Sequence, residues 1–503
     1  PMTLRRAADL PPTAALLVEG GDRRIALSDG RNQYGHPASP RPGELAFGSS
    51  TASTISEPAF AAAEALRGRL AQALEQAPPA EVYRQGMRRV RRALRRLCGL
   101  EAGGGTDVLM AASGTDLHLV AACLVRASAA AALQVISVQG SETGSGLDDA
   151  LAGRHFAPLA VCGGEVAKGD LIPEVGEIAR AAFAIRDADG GLIDEASVED
   201  EIDRRIAGAA AEGRQTLLVA TDVTKTGLIA PGVATLTRLA AKWGERLVVL
   251  VDACQFRLSP DTLRAYLGQG FMVAVTGSKF LTGPAFCGAL FVPRPLAARF
   301  ADSRPPAGLG LYGLRGEWPC GWAAGEVAPP GCNLGLLLRW EAALHELAAF
   351  RALDPRELRW SASLFADAAR DRIGAAPGLR VVETRPLDRA PIARDDGWDA
   401  TQTIFSFRVR DPGAPGGFLG MEALGRLHRA LAAEDGTGPV VRLGQPVACG
   451  RDGALRLCFS ARHAVEARDA AGFSRLLASV GTAMDRVEAL AAALAPRDAA
   501  RVG

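Results

Sequence analysis

The sequence predicts an α/β fold: a large domain built on a mostly parallel sheet, joined to a smaller α+β domain. Three observations point there. The chain has 503 residues, too many for one hydrophobic core of ordinary size. From about residue 106, short apolar runs alternate with helical segments, as in βαβ crossovers. Those runs are mostly apolar throughout, the mark of a sheet covered on both faces. The expected division is 1–99 for an N-terminal extension and helices that join the small domain or cover the active site, 100–335 for the large domain, and 336–503 for the small C-terminal one.

Taken in order, residues 20–50 are rich in glycine and proline and lack periodicity, so they read as loop or extended chain. Tyr34, His36 and the apolar "ELAFG" favour a loop laid over the rest of the fold. Helices follow at about 57–76 and 80–98. In the second, Met87, Val90, Leu94 and Leu97 form an apolar stripe among arginines, giving a helix with a solvated or subunit-facing side. The large domain supplies the strands "TDVLMAAS", "ALQVISVQ", "TLLVATDV", "RLVVLVDAC", "FMVAVTGSKF" and "GALFVP". A long helix opens near Leu334, and "TQTIFSFRVR", "VVRLG" and "ALRLCFSA" read as antiparallel strands before a terminal helix at about 465–497.

Composition narrows the function. With 57 basic and 56 acidic residues, the net charge of +1 makes no general case for nucleic acid or an anionic membrane surface. Nine scattered cysteines without a CxxC pair read as reduced thiols of a cytoplasmic protein. Six histidines without an HExxH or clustered pair leave no expected metal site. No signal segment or membrane span is expected, because the alanine-rich runs are short and interrupted.

The chemistry gathers around "VAVTGSKFLTGPAFCGALFV", residues 273–292, which sets Lys279 between two apolar runs. A buried ammonium is costly unless it is paired or loses its proton, and the neutral amine is a nucleophile suited to a Schiff base. Asp252 ends the apolar strand "VVLVDACQ", and Gln255 lies three residues on. Such an acid needs a partner: a protonated ring nitrogen on one reading, a backbone amide or arginine on the other. Asp252 precedes Lys279 by 27 residues, room for a helix and a return strand, so both can face one pocket at the C-terminal sheet edge. In "AASGTDLH", Ser113, Gly114 and Thr115 start a helix, either as a simple N-cap or as a phosphate cradle. Cradle, buried acid and amine together meet the needs of pyridoxal phosphate.

With "VDACQ" and "TGSKFLTGPAFCGALFV", the chain resembles the fold type I pyridoxal 5'-phosphate enzymes, closest to the class V aminotransferase and cysteine desulfurase group, over roughly residues 50–490. The resemblance implies a seven-stranded-type sheet and a homodimer with shared active sites. It implies that Lys279 forms the internal aldimine and moves the substrate proton, and that Asp252 pairs with the pyridine nitrogen. Gln255 and Thr224 would bond the ring oxygen, while Gly114, Thr115 and Thr276 hold the phosphate. Arg456, in "GALRLCFSARH", matches the small-domain arginine that grips a substrate carboxylate; the alternative is a solvent-facing strand arginine. The chain also departs from the pattern. Ser278 replaces the usual histidine before the lysine, and "GSETGSG" offers Glu142 or Thr143 where a histidine normally stacks on the ring. The stretch "APPGCNLGLLLRWEAAL" resembles the segment that reaches the neighbouring subunit's phosphate, without its threonine.

The expected function is thus a pyridoxal-phosphate enzyme acting on an amino acid or related amine through an external aldimine, with aminotransferase the economical reading. A lyase catalysing C–S or other β/γ elimination in specialised metabolism is the alternative, and a non-catalytic homologue a remote one. Cys449, in "GQPVACGRDG", is the candidate thiol for desulfuration. Tyr34 and His36 either orient a substrate at the mouth or anchor an interface.

Overall fold

The computed structural model describes residues 10–494, apart from 102–104, 145, 395 and 415. Its strands are β1 (Leu45–Phe47), β2 (Thr106–Ala111), β3 (Leu133–Val138), β4 (Ile178–Phe183), β5 (Gln215–Asp222), β6 (Ile229–Ala230), β7 (Leu247–Asp252), β8 (Met272–Thr276), β9 (Gly288–Pro293), β10 (Leu379–Val381), β11 (Ile404–Val409), β12 (Val441–Cys449) and β13 (Asp452–Cys458).

The large sheet runs β2-β9-β8-β7-β5-β3-β4, with the short β6 folded back on β5. Strands β4, β3, β5, β7 and β8 are mutually parallel, and β9 is antiparallel to both β8 and β2. The reason these strands are apolar throughout is visible in their burial. Val249, Val251, Val273 and Val275 face one core, and Val248, Leu250, Met272 and Ala274 face another. The period-two alternation of a strand thus feeds two apolar layers, each closed by helices. The helix Gly114–Ser128 covers one face, while Glu195–Ala211, Val233–Trp243 and Pro260–Gly268 cover the other.

Strand β4 was not expected. It is the sheet's edge, with Ala179, Arg180 and Ala181 half-buried and Ala182 exposed, so it lacks the apolar run of a central strand.

The second sheet runs β1-β12-β13-β11-β10 and is antiparallel except at β1, which pairs parallel with β12. The segment around residue 45 therefore enters the C-terminal sheet, and the helices Glu57–Gln76 and Pro79–Leu97 pack on the helix Leu334–Arg351. The expected terminal helix is two helices, Ala461–Glu466 and Ala470–Ala493. Asp469 divides them by accepting the Gly472 N–H at 2.7 Å as an N-cap. The expected reach to residue 497 lies outside the described residues.

Buried ion pairing ties the two sheets together. Arg389 donates to both carboxylate oxygens of Asp222 at 2.7 Å, and the Tyr266 hydroxyl donates to the same acid at 2.7 Å. Arg257 reaches the Phe459 carbonyl at 2.8 Å and the Ser49 hydroxyl at 3.1 Å. All nine cysteines are free. Among the described residues no helix is long and apolar enough to cross a membrane.

Candidate active site

The C-terminal ends of β2, β5, β7 and β8 converge on a cavity of about 190 Å3. At its first wall the chain leaves β2 and starts a helix. Ser113 is the N-cap, accepting the Asp116 N–H at 3.3 Å. A Cβ on Gly114 would lie 2.9 Å from the Cys254 sulfur, so glycine is what lets this helix start approach the end of β7. Arg24, from the N-terminal loop, extends to the Thr115 hydroxyl at 3.4 Å and the Ser113 hydroxyl at 3.5 Å. It is held there by Asp22, 2.9 Å from Nε and 2.6 Å from Nη2, and by the face of Phe286, 4.6 Å from ring centroid to guanidinium carbon. Backbone N–H groups, two hydroxyls and a guanidinium thus surround one point at a helix N-terminus, which suits a phosphate.

Asp252 forms the floor. One of its oxygens accepts the Cys254 N–H at 3.1 Å and the other lies 3.4 Å from His118 Nε2. His118 sits one helical turn after Gly114 and donates its Nδ1–H to the Gly114 carbonyl at 2.6 Å. Burial pushes the Asp252 carboxyl up, but His118 and Lys279 outweigh it and hold the acid well below the usual carboxylate range. The floor is therefore an ionised acid. His118, Asp252 and Cys254 are close enough to share a metal ion, but burial and Asp252 push the Cys254 thiol well up, against the thiolate a metal requires.

Lys279 stands on a tight turn. Gly277 donates to the Cys287 carbonyl at 2.9 Å, Gly283 to the Gly277 carbonyl at 3.0 Å, and Thr282 to the Lys279 carbonyl at 2.8 Å. A Cβ on Gly283 would sit 2.7 Å from the Gly277 oxygen. Thr282 and Phe286 adopt positive φ angles of 59° and 78°, a strained conformation for side chains of their size. The Lys279 amine lines the cavity and has no side-chain partner among the described residues.

Arg456 reaches the same cavity from β13. It is buried, so the solvent-facing alternative does not hold. Nε and Nη2 donate to the Gln445 carbonyl at 3.1 and 2.8 Å, and Nη2 donates to Thr51 at 2.8 Å. Nη1 is left without a partner.

Two solved structures share this arrangement of the chain. The cystine C-S lyase C-DES, in complex with its reaction product cysteine persulfide, matches with a TM-score of 0.55 at 15% identity, over 88% of this chain and 98% of that one. A lysine-to-alanine variant of C-DES, with glycine covalently linked to its pyridoxal phosphate cofactor, matches with a TM-score of 0.54 at 15% identity, over 88% and 97%. The fold is fold type I. No family model matches the chain, and no curated protein matches it.

Within this fold type I frame, the structure brings Tyr34, Gly114, Thr115, Thr143, Asp252, Gln255, Thr276, Lys279 and Arg456 to one cavity. The Thr276 hydroxyl donates to the Cys254 carbonyl at 2.7 Å, and Ser278 donates to Thr276 at 3.4 Å. Gln255 spends one N–H on the Ser50 carbonyl at 3.0 Å. Three expectations are corrected. Thr224 is fully buried outside the cavity, where its hydroxyl accepts the Leu228 N–H at 3.1 Å and closes the turn between β5 and β6. His36 is buried against the Thr54 hydroxyl at 2.9 Å, away from the cavity, and burial followed by Arg442 pushes its pKa down to about 3. It is a neutral anchor of the N-terminal segment. Cys449 is buried in the small sheet beside Arg408, with no access to Lys279. Glu142 lines the cavity, but its carboxylate is occupied by Thr226 at 2.8–2.9 Å and by Arg186 at 3.3 Å.

Sequence reasoning missed Arg24, His118 and Lys225. His118 was within reach, being four residues from Gly114 on the same helix face. Arg24 carries no signal of this role, because the cradle hydroxyls it reaches lie 89 and 91 residues away. A larger groove of about 660 Å3 lies between residues 40–47 and the last two helices, but it collects no comparable constellation.

The residues present fit pyridoxal phosphate. Ser50 Oγ, Gln255 Oε1 and Arg456 Nη1 are buried without hydrogen-bond partners and belong to residues of this one wall. Unpartnered buried polar atoms are costly, and three around a cavity that also holds an acid and an amine suit a polar ring bearing a phosphate.

Proposed function

We propose that the chain is a pyridoxal-phosphate-dependent enzyme that transfers the amino group of an amino acid or related amine. One observation carries the reading: Lys279, the ionised Asp252 and the Gly114–Thr115 helix start converge on a single cavity. When bound, the cofactor supplies an electron sink for a substrate carbanion. The N–H groups of Gly114 and Thr115, the Thr115 hydroxyl and Arg24 would hold its phosphate, with the Ser113 and Thr276 hydroxyls beside them. Asp252 would keep a proton on the ring nitrogen, Gln255 would offer its second N–H to the ring oxygen, and Thr143 would flank the ring from the loop after β3. The Lys279 amine would hold the cofactor through its aldehyde and, once the substrate amine takes its place there, would carry the proton to and from the substrate α-carbon.

Arg456 would hold the substrate carboxylate through Nη1, since Nε and Nη2 are spent on Gln445 and Thr51. A carboxylate so held is a poor departing group, which disfavours decarboxylation. Tyr34 closes the mouth together with Phe286, their rings edge-to-face at 6.5 Å, and limits water. Thiol-based desulfuration has no support, because Cys449 is off the cavity and the Cys254 thiol is held protonated. Elimination of a β or γ substituent uses the same residues, and C-DES, a cystine C-S lyase, carries such chemistry on this fold. We also infer a homodimer. The segment 328–344, which resembles the stretch that reaches a neighbouring subunit's phosphate, supports this, and light scattering tests the mass.

The test is a spectrum of the protein purified with pyridoxal phosphate and titrated with amino acids. A visible band that is lost on adding an amino acid, with keto acid released, is the expected result. A band that returns while ammonia and an unsaturated product accumulate would move the reaction to elimination. No band in folded protein would overturn the cofactor reading.

A further inference from the structure

The cavity wall holds four cations, Arg24, Lys225, Lys279 and Arg456, against two carboxylates, Glu142 and Asp252. Most of these have assignments. Arg24 is neutralised by Asp22, Glu142 by Arg186, and Asp252 faces His118. On the cofactor reading Lys279 is committed to the aldehyde. Arg456 and Lys225 remain, and among the described residues neither has a carboxylate partner.

Lys225 is aimed by a rigid turn. Its own N–H donates to the Glu142 carbonyl at 3.0 Å. Thr224 before it bonds Leu228, and Thr226 after it is fixed to the Glu142 carboxylate through both N–H and hydroxyl. With backbone and both neighbours committed, the Lys225 side chain is the one group of this turn left to project into the cavity. Burial first, then Arg456 and Lys279, push its ammonium down to about 8, with Glu142 pulling the other way. The groups that crowd Lys225 are therefore those at the substrate end, and an anion bound between them relieves the crowding.

We propose that Lys225 and Arg456 form a two-cation subsite, so that the substrate is an amino acid whose side chain carries a second anionic group. The proposal rests on the cofactor reading for the substrate's amine, but the two cations bind an anion whether or not an amine is present. Arg456, through its free Nη1, takes one carboxylate, and Lys225 takes the other as a point charge.

Calorimetry of the cofactor-supplemented protein with amine-free probes separates the two ideas. Glutarate and succinate, as dianions, are expected to bind at least about tenfold more tightly than the monoanion butyrate. Lys225→Met is expected to erase most of that preference, and Lys225→Arg to restore it. Equal binding of dianions and butyrate by wild type, or a preference undiminished in Lys225→Met, would overturn the proposal. The visible band, recorded on the same samples, reports the cofactor reading alone. A band without dianion preference sinks only the subsite, and a dianion preference lost in Lys225→Met without a band sinks only the cofactor.

Discussion

At the scale of single residues, the site depends on two acids held in opposite states by their surroundings. Asp252 is kept ionised by His118 and Lys279 in spite of its burial. Asp252→Asn keeps the fold but removes the charge opposite the ring nitrogen, so turnover is expected to fall about a hundredfold or more while cofactor still binds. Asp116, beside the phosphate cradle, goes the other way. Burial pushes its carboxyl up to about 7, only partly offset by Ser113 and Arg24. Folding therefore favours its protonated form. That stabilisation is complete below the ordinary carboxylate pKa of about 4 and is lost as pH rises through about 7, at up to about 1.4 kcal/mol per pH unit. The difference in melting temperature between Asp116→Asn and wild type should thus grow in the variant's favour from about pH 4 to about pH 7, then level off. A difference that ignores pH across this window would contradict the assignment. Lys279, Asp252 and Gln255 were legible in sequence because they end apolar strands or follow them by three residues, where a polar residue needs a reason. Arg24 and Lys225 were not, since each acquires its role from groups distant in sequence.

At the scale of elements, the Lys279 turn is the part least tolerant of change. A methyl on Gly283 meets the Gly277 carbonyl at 2.7 Å and Ala343 at 2.8 Å, so Gly283→Ala is expected to cost about 1–3 kcal/mol in chemical denaturation and to slow cofactor capture. Gly68 makes the control. It lies exposed inside the helix Glu57–Gln76, and a methyl placed there would have nothing within 4 Å, so Gly68→Ala should stabilise by about 0.5–1 kcal/mol. The central strands were readable from their continuous apolar runs, which burial on two faces demands. The edge strand β4 was not, because half-exposed alanines carry neither pattern. The break at Asp469 was hidden for a related reason: an N-cap depends on one side chain inside an otherwise continuous helical stretch.

For the whole molecule, the two sheets are joined by charge as well as by apolar packing. Asp222 ends β5, the strand that feeds Val223 and Lys225 to the cavity, and it is held by Arg389 from the C-terminal part. Both are almost fully buried, with 1% and 3% of their side chains exposed. Arg389→Met leaves the acid buried and unpaired, which should cost about 3–5 kcal/mol of stability, and adding Asp222→Asn should recover part of it. Full additivity of the two losses in denaturant melts would contradict a direct pair. The layered order of the large domain was legible from its alternating segments. The parallel pairing of β1 with β12 was not, because three residues near position 45 cannot announce a partner near 441.

On the proposed reading Lys279, and not Lys225 on the same cavity wall, is the amine that takes the cofactor. Borohydride reduction of the cofactor-loaded protein, followed by digestion and peptide mass spectrometry, tests it most directly. The expected result is a single phosphopyridoxyl group on Lys279, absent from Lys279→Ala. A group found on Lys225, or no stable adduct on either lysine, would contradict the account.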